Sequence, residues 1–243
     1  MADQMKHWKA GHTWGLLAIV VAIFLLGWFV PVSARLWAWL PSLVLLALFI
    51  SVAGHGITGY WRGALIDEQN KISLSRLQLA VWTTVVLSAY VTAALGNIAH
   101  GAGDPLAIRI DSQVWILLGI STTSLVGSPL LKSNKSIQGL LLRNTGPGDS
   151  SWADLLRGEE TGNEGLLDMA KVQLFYFTVI VVFAYAVALG TELSRNGFPF
   201  TEFPSLSSGV LALIGISHAG YLTNKVVPHG LAPGMAGRGS RQA

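Results

Sequence analysis

Six long apolar runs limit what this chain can fold into: Trp14–Val30, Leu36–Ala53, Leu77–Leu95, Val114–Leu131, Val172–Leu189 and Val210–Val227. The first five hold no Asp, Glu, Lys or Arg, and the sixth holds only Lys225 near its end. A helix crossing a bilayer needs roughly 17–25 such residues. Lipid offers open backbone groups no partner, so helices are the element expected. Charged residues make up 12% of the chain, about half the share in soluble domains. That excludes an ordinary cytosolic enzyme and a disordered chain. Cysteine is absent, which excludes a disulfide framework, a thiolate metal site and a cysteine nucleophile. The expectation is an all-α polytopic membrane protein with six transmembrane helices.

Orientation follows from the positive-inside bias. With the N-terminus inside, thirteen of the sixteen Lys and Arg fall on inner segments, among them Lys71, Arg76, Lys171 and Lys225. Only Arg35, Arg109 and Arg195 fall outside. Both termini are therefore expected in the cytoplasm. Lys6 and Lys9 before an apolar run, with Val32-Ser33-Ala34 after it, resemble a signal peptide. The run is longer than a usual signal core, so it is read as a first span ended by Pro31. Trp8, Trp14 and Trp61 are expected at the inner interface and Trp28, Trp37, Trp39 and Trp115 at the outer one, with Trp82 alone at mid-span.

The chain also repeats itself. Arg76-Leu77-Gln78-Leu79, Trp82-Thr83 and Ala89-Tyr90 recur as Lys171-Val172-Gln173-Leu174, Phe177-Thr178 and Ala184-Tyr185, always about 95 residues later. Ser73 and Asp168 sit at matching N-cap positions. In the next span Leu118-Gly119-Ile120-Ser121 recurs as Ile214-Gly215-Ile216-Ser217. The organisation expected is a tail and two-helix lead with its cytoplasmic linker (1–72), a two-helix repeat (73–131), a cytoplasmic loop (132–167), a second two-helix repeat (168–227) and a disordered tail (228–243). An even number of spans per copy makes the copies parallel in the membrane.

The repeated residues are the candidate site. Leu117, Ser121, Ser124 and Ser128 share one helical face, and Leu213, Ser217, Gly220 and Asn224 share the matching face. Small hydroxylated faces let helices pack closely. Alternatively, with Thr122, Thr123 and His218, they line a wet pathway in which Ile120 and Ile216 form an apolar constriction. Gln78 and Gln173 either bond to a neighbouring helix end or ring a cytoplasmic mouth, and Arg76 and Lys171 are expected to snorkel to phosphates. His218 is the only mid-span histidine, with His7 and His12 in the tail and His55, His100 and His229 at span ends, so no intrachain bis-histidine haem site is expected. It is read as a hydrogen-bonding group or a proton-sensitive one. No carboxylate lies within a span, which argues against an ion-coupled pump.

In the central loop, the pattern around Trp152, Leu155 and Leu156 predicts a short interfacial helix dipping into headgroups, capped by Ser150 or Ser151. Glu159, Glu160, Glu164 and Asp168 read as a solvated acidic turn without calcium-loop spacing. Gly146-Pro147-Gly148-Asp149 is no phosphate loop, and no nucleophile elbow or zinc signature occurs. No catalytic residue, cofactor or metal is assigned, an enzyme is not expected, and the net charge of +3 is too weak for nucleic acid.

Leu65-Ile66-Asp67, Asn70–Gln78, Trp82-Thr83, Arg157–Asn163 and Gly215–Tyr221 together resemble a group of bacterial multi-span inner-membrane proteins with duplicated SLSRLQ…WT and GIS helices. The resemblance implies a bacterial inner membrane and supplies no site residues. The functional expectation is an oligomeric channel-like protein, its partner being a second copy of the chain, with a passive pathway along the duplicated helices. The alternative is a membrane scaffold or anchor whose 132–167 loop docks a cytoplasmic protein.

Overall fold

A computed structural model describes residues 7–137, 141–195 and 197–227; the side chains at 129 and 131–137 are outside that description, as is the tail expected at 228–243. The described chain is all-helical, with α1 (Ala10–Phe29), α2 (Arg35–Thr58), α3 (Leu74–Ala99), α4 (Ser112–Ile137), α5 (Met169–Ser194) and α6 (Ser208–Val226) joined by short 3₁₀ turns. Among the described residues, α1, α3, α5 and the Val32–Thr58 stretch holding α2 are long and apolar enough to cross a membrane. His12 belongs to α1 and not to a tail, and α4 continues past the expected loop boundary to Ile137.

Local chemistry sets the ends. Helix α1 stops at Phe29 because Val30, the residue before Pro31, is forced into an extended conformation. Helix α2 closes on Gly59 at φ 79°, whose N–H donates to the His55 carbonyl at 2.8 Å. The following turn folds back on α2, and a Cβ at Gly63 would overlap Thr58 Oγ1 and the Gly54 carbonyl. Asp168 caps α5, its carboxylate accepting from the N–H groups of Ala170 (3.0 Å) and Lys171 (3.2 Å). Ser73 holds the matching position on α3 but its side chain makes no cap bond.

Helix α3 is the centre of the molecule. Helices α1, α2, α4 and α5 all pack on it, while α6 packs on α4 and α5. Trp82, Val85, Val86, Ala89 and Ala93 of α3 meet Trp39, Val114, Leu117, Tyr185, Leu189 and Ile214 in the main core. Trp39 thus lies in the core and not in the outer aromatic belt, and its indole N–H donates to Ser88 Oγ at 2.9 Å. Trp37 and Trp115 are exposed, in keeping with a belt position.

The order of side-chain partners gives helix direction. Gln78 bonds Thr178 and Trp82 meets Tyr185 with ring centres 5.8 Å apart, so α3 and α5 run the same way. Ser124 bonds His218 and Ser128 bonds Lys225, so α4 and α6 also run the same way. Basic residues segregate accordingly. Arg62, Lys71, Lys171 and Lys225 gather with the central loop at one end. Arg35, which donates to the Gly197 carbonyl, and Arg109, paired with Glu202, lie at the other.

Candidate functional site

The repeated second helices face each other. Along α4 the buried positions are Val114, Leu117, Ser121, Ser124 and Ser128; along α6 they are Ile214, Ser217, His218, Tyr221 and Lys225. Both sets follow helical three-and-four spacing, so each forms a stripe. Ser121, Ser124 and Ser217 are 1%, 0% and 4% exposed. Ser124 Oγ and His218 Nδ1 are 2.6 Å apart, and Lys225 Nζ donates to Ser128 Oγ at 2.5 Å. Ser217 Oγ donates to the Leu213 carbonyl at 2.9 Å, while Ser121 Oγ is buried without a partner. Within one chain the strip is a helix–helix seam.

Other candidates lie off this seam. Leu213 and Ile216 are exposed, the latter at 67%, and Gly220 is exposed too. Ile120 is half-buried, so Ile120 and Ile216 do not close a constriction within one chain. Thr122 and Thr123 are exposed on the far side of α4 and donate to the carbonyls of Leu118 and Gly119 one turn back. Asn224 reaches sideways to the Asp168 carboxylate, 2.9 Å from each oxygen. Gln78 is fully buried, its Nε2 donating to Thr178 Oγ1 at 2.5 Å and its Oε1 unpartnered, whereas Gln173 is exposed and lies 3.4 Å from Ser217 Oγ.

A second arrangement closes one end of the bundle, and it corrects several expectations. Lys171 does not snorkel outward. It is 3% exposed and donates to the carbonyls of Asp154 (2.9 Å) and Arg157 (2.8 Å) while pairing with Glu159 at 2.8 Å. Lys225 stands 3.7 Å from the same carboxylate and 4.6 Å from the centre of the Tyr221 ring. The acidic turn is correspondingly not solvated throughout: Glu160 is buried and Glu159 largely so. Buried ammonium groups demand such partners, because removing either charge from water costs several kcal/mol, about 3–5 if a pair is broken.

Asp154 is the other hub. It is 2% exposed and accepts from the N–H groups of Ser151 (2.8 Å) and Ile72 (3.1 Å) and from Arg157. Ser151 caps the turn Trp152–Leu155, as expected, but that turn is a single 3₁₀ turn. Leu155 is buried beside Ile72, Leu74, Leu174 and Tyr221 and not in headgroups. The two loops at this end also clasp each other: Asn70 and Asn144 exchange side-chain-to-carbonyl bonds at 3.0 and 2.8 Å, and Arg62 reaches Ser150 Oγ at 2.7 Å. Nearby, the Thr145 hydroxyl and the Gly146 N–H hold the Asp149 carboxyl below its ordinary value.

Little in the amino-acid order marks this cap. Lys171 and Lys225 read as span-flanking cations; Lys171 finds its partners in the preceding loop and Lys225 finds Ser128 97 positions away, and neither pairing leaves a helical or strand pattern. The His12–His55 contact, 3.0 Å from Nε2 to Nδ1 between α1 and α2, is equally unmarked, because His12 precedes the apolar run that begins at Trp14. No protein-family model, no curated protein and no solved structure matches the chain.

Proposed function

We propose that this chain is an integral membrane scaffold whose cap docks a cytoplasmic protein. In this reading all six helices cross the bilayer, as a two-helix lead followed by two parallel hairpins, with both termini and the cap on the cytoplasmic side. The sequence resemblance supports a bacterial inner membrane. The observation that carries the scaffold over the channel is the burial of Ser121, Ser124 and Ser217 against neighbouring helices: the duplicated polar strip is spent on holding helices together. The cap supports docking because it is tied down by buried ion pairs and still presents Leu166, Leu167 and Met169 at 64–69% exposure.

Two experiments test it. Liposomes holding the purified chain should pass neither ions nor small solutes. A Leu166→Ser/Leu167→Ser double variant should keep its melting temperature yet lose a protein that co-purifies with the wild type. Solute flux would favour the rival reading, an oligomeric passive pathway. That pathway would have to enclose Thr122, Thr123 and Ile216, which are exposed on a single chain.

A further inference from the structure

A cavity of about 700 Å³ opens between α2 and α3. Its walls are Leu43, Ala47 and Ile50 of α2 with Ala80, Val81 and Val85 of α3. At the cap end it is lined by His55, Tyr60, Trp61, Arg62 and Trp152. A second cavity of about 430 Å³ adjoins it through Ile50, Ala64 and Ala80. The trough is therefore apolar along its length and aromatic and cationic at one end.

We propose that this trough binds one anionic phospholipid, its phosphate at Arg62 and an acyl chain along α2. Three observations carry the assignment. From Leu43 to His55 the wall runs twelve residue steps, about 18 Å at 1.5 Å per step. That is close to one leaflet of hydrocarbon, about half of 30 Å. Arg62 has the free valence a phosphate needs. Its Nε donates to Ser150 and one Nη2 hydrogen to the Gly148 carbonyl at 3.0 Å. A guanidinium has five donors, so the Nη1 edge is uncommitted, and no carboxylate pairs with Arg62 among the described residues. By contrast Arg76, in the adjoining cavity, is neutralised by Glu68 at 2.8 Å. Finally, Trp61 and Trp152 are 62% and 59% exposed beside it, where indoles favour the headgroup level. A guanidinium held by two bonds, with an open edge among aromatic rings, is a phosphate fork.

The inference rests on the reading that α2 and α3 cross the bilayer, and the test separates the two. The full chain is purified in mild detergent, stripped of lipid and placed in nanodiscs of phosphatidylglycerol and phosphatidylcholine; retained lipid is identified by native mass spectrometry. The wild type should keep one phosphatidylglycerol. Arg62→Gln should lower that preference about tenfold, Arg62→Lys should restore part of it, and Val81→Phe should displace lipid of either headgroup by filling the trough. Equal retention of both lipids by the wild type, or an unchanged preference in Arg62→Gln and Val81→Phe together, overturns the proposal. So does recovery of a quinone in place of phospholipid from the native membrane. A chain released from membranes by alkaline carbonate would instead overturn the membrane reading itself.

Discussion

The two hairpins share a sequence motif and the length of their first helix but not an environment. Helices α3 and α5 each span 26 residues, and both boundaries are shifted by the same 95 positions. Yet 56% of the apolar stretch of α3 is buried against 22% for α5. Gln78 is buried where Gln173 is exposed, Trp82 is enclosed where Phe177 is half-open, and Tyr185 is buried where Tyr90 is partly exposed. The cause is the lead: α1 and α2 both pack extensively on α3, whereas α5 takes a smaller contact from α2. Similar apolar helices acquire different roles from what is laid against them, since in lipid any face is tolerated until a neighbour selects one.

The sharpest way to break this comparison is at its matched cations. Lys171→Met should cost about 3 kcal/mol, the lower end for a broken buried pair, because it removes the nearer of two ammonium groups at Glu159 and the donor to the Asp154 and Arg157 carbonyls. The partly exposed Arg76–Glu68 pair has side chains 32% and 65% exposed, so Arg76→Met should cost under about 1 kcal/mol. Reversible unfolding in detergent would read both, and equal losses would erase the asymmetry. Next, Trp82→Ala should cost about 3 kcal/mol, the lower end for such truncations because lipid solvates the ring in the unfolded state. Phe177→Ala should cost clearly less in the same assay. At the helix starts, Asp168→Ala should lower stability by about 1–2 kcal/mol through lost capping, while Ser73→Ala, whose side chain caps nothing, should leave the melting temperature unchanged. The smallest contrast is at the glutamines: Gln78→Leu should cost about 1 kcal/mol by losing its bond to Thr178, and Gln173→Leu should be silent in thermal melts.

Much of the architecture was legible because apolar length is a property of each segment alone. All six helices lie where the runs predicted, and the 95-residue register anticipated that α3 and α5 begin and end in step. The facing of those helices was not legible. Leu213 and Gly220 share a stripe with Ser217, and only the tertiary bonds of His218 and Lys225 turn α6 so that these two are excluded from the seam. Trp39 read as an interfacial ring because its partner, Ser88, is 49 positions away. The cap was hidden too: Lys171 reads as a span-flanking cation and Asp154 and Glu159 as loop charges until the fold brings Ile72 to Asp154 and Lys225 to Glu159.

At the opposite end Asn97 grips the second hairpin's loop, its amide nitrogen donating to the Phe200 carbonyl at 2.8 Å and its oxygen accepting the Phe200 N–H at 2.9 Å. Arg109 and Phe203 add a backbone bond at 2.9 Å beside it. Lysine contacts thus tie the hairpins at one rim and this amide clasp ties them at the other. Tilting one hairpin against its sibling would first have to break bonds at one rim or both.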